Sequence, residues 1–488
     1  MANFQWDNRE QFISLIHLLS LRNGGQFEPN EDEADERVEI DIDIHWNKHS
    51  VGDSKEDKLK QHFLDRFAEM MSRKKGGKHV CCAAFRESGD RCLDKDVKIS
   101  LLVARNTNFG DLDRAFRSRL EGLLATIGAS VHGEQYDTSA VKEELWEELL
   151  CYNQPRLNFY AARLRDNLNA FKNAGSLASI PPYRIGSTTF CDNPGIGGYS
   201  ADTHAVYMRL AQERILELDN ILCSSDGAAQ RRLLAEHTYS IRRMASLRIL
   251  INSCPKASVG HKLLRDICFL GRLKSCLFTL VKGALCIPGF AQLSIILVEN
   301  LQPRSLSCKL PPLVDAMRHL GQTLSTLSVG KYISRKLNVT KAERRFTQLQ
   351  SKVSRKPLPT HADLQLILYI TKTAYGESMY KEIYPYIGCS KLSCFLCAAF
   401  IKYFSLGGVT FRTRGSHGKI YPRWCIPKMD GLHGDMVMAL NSALERMQHL
   451  LHGEFMKPII TVAYLPESSA GVTDDADDAD DTDDIDVE

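Results

Sequence analysis

The chain has 488 residues and a mass of 54.9 kDa, with 44% hydrophobic and 25% charged residues. This balance excludes a disordered or fibrous protein and leaves room for two or three domains. The formal charge of +3 hides an asymmetry, because residues 474–488, DDADDADDTDDIDVE, carry ten acids and no base and leave about +13 on the rest, an excess that permits nucleic-acid binding without arguing for it.

The amino terminus, MANFQWDNREQFISLIHLLS, lacks the cationic start, long apolar run and small-residue cleavage site of a secretory signal. The most apolar region, residues 267–301, is interrupted by Arg272, Lys274 and Lys282, which would be costly inside a bilayer. We therefore expect an intracellular protein, cytoplasmic or nuclear, with no membrane partner. In such a reducing compartment most of its 15 cysteines are free thiols and any well-spaced group becomes a metal candidate.

Residues 1–75 open with Phe12, Ile13, Ile16, Leu19 and Leu21 at helical spacing. An acidic linker follows, in which Val38, Ile40, Ile42 and Ile44 alternate with charges as an edge strand does. Residues 76–110 hold two apolar runs, HVCCAAFRE and VKISLLVARN, around the turn-rich SGDRCLDKD, which predicts a β-hairpin whose second strand is buried on both faces.

Residues 111–355 read as helical, clearest in VKEELWEELLCYNQPRLNFYAARLRDNLNAFKN and PPLVDAMRHLGQTLSTL. The glycine-rich STTFCDNPGIGGYSADTH at 187–204 matches no phosphate-binding or dinucleotide fingerprint and reads as a loop.

Residues 356–465 change texture. A helix from His361, a strand near IYPYIGC, a helix from Cys394, strands at GGVTFRTRG and KIYPRWCIP, and a final helix GDMVMALNSALERMQHLL follow one another. Such alternation predicts an α/β layer structure with a covered, parallel sheet. The expected fold is therefore mixed, α+β or α/β, with a largely helical amino-terminal and central region and a three-layer α/β module near the carboxyl end. Residues 466–488 form an acidic tail of the kind that stays disordered.

Chemistry concentrates in that module. Cys394 and Cys397 are spaced i and i+3, so on a helix both sulfurs share one face, and a cap at Ser393 would let the helix start favour their thiolates. His361 begins another helix after KPLPT. Two helix starts meeting across the sheet present one imidazole and two thiolates to zinc and leave its fourth tetrahedral position to water. Zinc nucleobase deaminases carry H-x-E and P-C-x-x-C for this purpose; here the corresponding stretches are HAD and SCFLC.

The run HADLQLILYI, then YIGCSKLSCFLCAAFI, then FRTRGSHGKIYPRW resembles a deaminase-like family common in filamentous fungi, a branch of the zinc-dependent nucleic-acid and nucleotide deaminase superfamily. The resemblance spans residues 360–427. It implies hydrolytic deamination of a nucleobase in a nucleotide or nucleic acid, with zinc held by His361, Cys394 and Cys397. Asp363 stands where relatives carry the proton-shuttling glutamate, one methylene shorter. The RG-x-HGK element falls on Arg414, Gly415, His417, Gly418 and Lys419, and Arg414, His417, Lys419 and Trp424 become substrate-binding candidates. The fold of the superfamily also implies that the hairpin at 76–110 supplies the first two strands of the sheet, with the helical region as an insertion.

Blander readings stand beside these. Thr360 and Asp363 have the spacing of a capping box. Cys389 with Cys425 or His417 could close a structural four-ligand zinc site around the cysteine pair. His417, Lys419, Tyr421, Arg423 and Trp424 read equally as a base-stacking cluster or as a half-solvated strand. A zinc-stabilised interaction or nucleic-acid-binding protein without catalysis is the alternative function.

Overall fold

In a computed structural model of the full chain, the described residues are 4–28, 30–31, 53–89, 97–131, 137–175, 201–224, 227–301, 310–355, 358–373 and 380–459. The alternating run Val38 to Ile44, most of the glycine-rich stretch and the acidic tail lie outside them.

The chain divides into two compact units, one of residues 73–75 and 142–279 and the other of residues 1–72, 76–141 and 280–488. The first is helical, built on Gln154–Asn173, Ala201–Cys223, Gly227–Ile241, Ala245–Asn252 and most of Ala257–Cys286. Pro155 sits at the start of Gln154–Asn173, where a missing N–H costs nothing, so the long helical sequence breaks in two at Asn153. Inside, Tyr160 stacks on Phe269 at 4.5 Å. The buried Asp266 carboxylate is met by Arg163 at 3.1 Å and by the Asn167 amide at 2.5 Å.

The second unit holds the strands: β1 (Asn30–Glu31), β2 (Cys81–Ser88), β3 (Lys98–Arg105), β4 (Ser294–Leu297), β5 (Gly388–Cys389), β6 (Ser405–Leu406), β7 (Val409–Thr410) and β8 (Gly415–Ser416). The main sheet has the order β4-β3-β2-β5. β2 and β3 form the predicted antiparallel hairpin, with Phe85 opposite Leu101, β4 joins β3 in parallel, and β5 joins β2 antiparallel. The sheet is thus mixed where a parallel one was expected. Two small pairs, β1 with β8 and β6 with β7, stand apart from it.

Residues 81–85 and 101–104 are all buried, as strands covered on both faces must be. Cys82, Ala84, Leu102 and Ala104 belong to one apolar cluster with Ile367, Phe400 and Met447. Phe85 faces the other way, onto Phe63 at 5.3 Å. Helix Ala362–Thr373 therefore covers one face and helix Asp53–Met71 the other. At β5 the second helix comes so near that a Cβ on Gly388 would lie 2.3 Å from the Leu64 carbonyl carbon, so only glycine fits.

Helix Arg9–Leu21 is part of the same core, with Phe12 stacked on Trp424 at 6.0 Å and His17 edge-on to Phe346. After it, the Arg22 guanidinium donates to the carbonyls of Glu454, Phe455, Lys457 and Pro458 at 2.6–2.8 Å, satisfying the last carbonyls of the final helix, Gly434–Met456.

Other expectations need correction. β4, Ser294–Leu297, lies in a region read as predominantly helical, where no strand was expected. GGVTFRTRG yields only β7 and the start of β8, and KIYPRWCIP forms no strand, because Pro422 and Pro427 remove ladder donors. PPLVDAMRHLGQTLSTL splits into Leu313–His319 and a helix starting at Thr326, with Gly321 at φ +69° between them. Among the described residues no helix is long and apolar enough to cross a membrane.

Candidate metal centre

The centre forms where the hairpin meets two helix starts. β3 ends at Arg105, and the next residue, Asn106, accepts a hydrogen bond from the Ala362 backbone N–H at 2.7 Å. The buried Gln365 side chain donates to the carbonyls of Arg105 at 3.1 Å and Thr360 at 2.8 Å. Arg105 is held in turn by both oxygens of Asp113, at 3.0 and 2.7 Å. The loop carrying His361 is thereby tied to the end of β3 before the helix begins.

On the cysteine side, helix Phe395–Tyr403 is capped by Cys394 itself, whose Sγ accepts from the Cys397 N–H at 3.4 Å. The cap expected at Ser393 is therefore displaced by one residue. Ser393 instead uses its backbone: its N–H donates to Gly415 O, and its carbonyl accepts from the His417 N–H, both at 3.1 Å. The Phe395 N–H donates to Lys419 O at 3.0 Å. The strip 415–419 thus props the cysteine turn. It closes through Gly418 at φ +77°, where a Cβ would lie 2.3 Å from Phe27 O.

His361 Nδ1 lies 3.5 Å from Cys394 Sγ and 3.4 Å from Cys397 Sγ, and these three atoms form a mutually close group within 4.8 Å. Zinc–sulfur and zinc–nitrogen bonds of about 2.3 and 2.0 Å in a tetrahedron put neighbouring N and S atoms ~3.5 Å apart. The donor set and its spacing therefore fit zinc. Among the described residues no further His, Cys, Asp or Glu joins the group. Cys389 Sγ faces Cys82 Sγ at 3.3 Å, Cys425 Sγ faces Ile426 O at 3.2 Å, and His417 Nδ1 accepts from the Lys419 N–H at 3.1 Å. Among the described residues a closed four-ligand site does not form.

The thiols are electrostatically unequal. Burial disfavours both thiolates, but at Cys394 the hydrogen bond with Cys397 and the His361 imidazole outweigh it and bring the pKa down to about 6. Cys397 is pushed well above the ordinary thiol range by burial, by its bond to Cys394 and by the nearby Asp363 charge. One proton is thus shared in a buried pair that a divalent cation would convert to two thiolates.

Asp363 is buried, with Oδ1 accepting from the Leu364 N–H at 3.0 Å and its carboxylate engaged with the Cys397 side chain. Thr360 Oγ1 is buried without a hydrogen-bond partner, so the capping box is not made. Trp424 is 1% exposed, lies between Phe12 and Phe400, and donates its indole N–H to Cys397 Sγ at 3.2 Å. It supports Cys397 and offers no open face for stacking. Tyr421 sits edge-on between His361 at 5.5 Å and His417 at 6.1 Å, with the Lys419 ammonium 5.4 Å from its ring. The Arg414 charge acts on Asp65 and Tyr386, offsetting part of the rise that burial gives the pKa of each, and its Nε and Nη2 are buried without hydrogen bonds.

Residues 360–428 match a deaminase family. It is described as OTT_1508_deam:-like deaminase. No curated protein and no solved structure matches the chain significantly. The deaminase-like segment contains His361, Asp363, Cys394, Cys397 and Trp424, whereas Asn106, Arg105 and the paired strands β2 and β3 that position it come from outside the match. Asn106 and Gln365 were missed from the sequence; a glutamine one turn after the histidine was the only local signal.

Proposed function

We propose that this chain is a zinc-dependent, deaminase-like hydrolase acting on a nucleobase in a nucleotide or nucleic acid. The observation that carries the reading is the Nδ1–Sγ–Sγ group of His361, Cys394 and Cys397 at the meeting of two helix starts, within the segment that matches a deaminase family. These three residues hold zinc, which supplies the Lewis acidity that activates water near neutral pH. Asp363 takes the proton released on attack at the ring carbon and returns it to the departing amine, which leaves as ammonia. Tyr421 borders the imidazole and the Lys419 ammonium lies 5.4 Å from the Tyr421 ring, an aromatic edge and a cation suited to a base and a phosphate.

The shorter reach of aspartate sets the rate. A displacement of about 1 Å in a catalytic group costs roughly a hundredfold, so slow turnover is expected. Ammonia release from cytidine, adenosine and single-stranded DNA and RNA tests the reading: Asp363→Asn abolishes release and Asp363→Glu raises it. Unchanged turnover in Asp363→Asn would remove the shuttle.

One observation favours a second reading, a non-catalytic zinc-stabilised protein. The Asp363 carboxylate is already engaged by the Leu364 N–H and Cys397. Absence of activity in both wild type and Asp363→Glu, with zinc retained, decides for it.

A further inference from the structure

Beside the metal centre lies a second thiol pair that the proposed reaction does not use. Cys82 and Cys389 are direct Cα partners across the antiparallel β2–β5 pair, and their Sγ atoms are 3.3 Å apart. Both are free thiols, 1% and 3% exposed.

Their register and the short distance between the sulfurs place the two thiols within reach of a disulfide. The Ser390 N–H donates to Cys81 O at 2.9 Å, while the Cys389 N–H turns to Asp65 Oδ1 at 3.0 Å. Residues 82 and 389 therefore occupy a non-hydrogen-bonded position, where Cα atoms of an antiparallel pair lie about 4.5 Å apart, inside the range that disulfides span. The other neighbours of Cys389 Sγ are farther off: Thr413 Oγ1 at 3.6 Å, Ile387 O at 3.7 Å and Ser393 Oγ at 3.9 Å. Neither residue belongs to the metal-ligand group.

We propose that Cys82 and Cys389 form a reversible disulfide that ties β5 to β2 beside the metal centre. With hydrogen peroxide as oxidant, each thiol gives up one proton and one electron, the S–S bond forms, the peroxide O–O bond breaks, and two waters leave. Reaction proceeds through a thiolate; burial raises the Cys82 thiol pKa, so the linkage forms faster as pH rises. Among the described strands β5 is a two-residue edge strand paired with β2 alone, and local opening of this short edge, with release of the Cys389–Asp65 bond, admits the oxidant. Once formed, the bond anchors the backbone five residues before Cys394 without removing a ligand. The inference does not depend on the deaminase reading.

The test is peptide mapping of the zinc-supplemented full chain, treated with hydrogen peroxide under native conditions, alkylated, and digested without reductant. The expected result is a Cys82–Cys389 linked peptide, about 2 Da lighter than the two thiol peptides together, that dithiothreitol resolves. Zinc per chain should be the same before and after linkage. In Cys82→Ser and Cys389→Ser the link is lost, and the remaining partner is alkylated as a free thiol. Native protein whose Cys82 and Cys389 are both alkylated after oxidation, or linked only after denaturation, overturns the proposal. Zinc released in step with the linkage also overturns it, because Cys389 would then be a ligand.

Discussion

The indole N–H of Trp424 is 3.2 Å from Cys397 Sγ, a hydrogen bond between two residues that are each about 1% exposed. If Cys397 ligates zinc as proposed, this donor sets the orientation and charge of its sulfur, and loss of such outer partners typically costs 10- to 100-fold in metal affinity. Trp424→Phe keeps the contacts with Phe12 and Phe400 but removes the donor. Zinc affinity measured by chelator competition should fall about tenfold or more while the circular dichroism spectrum is unchanged. Equal affinity would make Trp424 a packing residue only.

Gln365 connects the end of β3 to the histidine loop through the carbonyls of Arg105 and Thr360. Gln365→Ala removes a donor from both carbonyls; the Asn300 amide, oriented with its nitrogen 3.0 Å from Arg105 O, still serves that one, whereas Thr360 O is left short at a cost of about 1–3 kcal/mol. We expect urea unfolding to show a loss of about 1–3 kcal/mol together with weakened zinc binding. A loss below about 0.5 kcal/mol would place the anchoring elsewhere, in Asn106 above all.

His17 makes stability depend on pH in a defined direction. It is fully buried, and desolvation lowers its pKa from 6.5 to about 4, the Pro422 carbonyl offsetting only part of this. Between these values the unfolded chain binds a proton that the folded protein refuses, so stability is full above about pH 6.5 and declines as pH falls toward 4, by about 3 kcal/mol in all. Urea midpoints at pH 7 and pH 4.5 should differ markedly in wild type and less in His17→Phe. An identical difference in both would assign the acid sensitivity to other groups.

At Gly388 helix Asp53–Met71 packs directly on β5, and a Cβ there would meet the backbone of Leu64 and Asp65 at 2.3 and 2.6 Å. Gly388→Ala should shift β5 and, through it, the Cys394 turn, with a stability loss of about 2 kcal/mol or more. A fully stable variant with normal zinc content would show that β5 does not position the site.

The sequence and the structure agree where the signal is local. Two continuous apolar runs around a turn announce β2 and β3, because strands covered on both faces cannot alternate. Cys394 and Cys397 are legible as one helix face, and His361 as the start of another. Reading failed where tertiary contact decides. The residues of β4, Ser294 to Leu297, are too few to show a period and gain their ladder only from β3. Ile420 and Trp424 look like strand residues but are buried in a loop, with Phe12 and Phe400 against Trp424. Thr360 and Asp363 have capping-box spacing, yet the helix begins at Ala362 and the carboxylate turns to Cys397. Asn106, 256 positions from the amide it accepts, left no trace in the local pattern.

X-ray absorption of the purified full chain at the zinc edge, with metal content measured on the same sample, tests the central claim most directly. The account predicts one zinc per chain with two sulfurs at about 2.3 Å and light N/O ligands at about 2.0 Å, and loss of the metal in His361→Ala combined with Cys394→Ala. A zinc content near zero, a shell of three or four sulfurs, or metal undiminished in the double variant would contradict it.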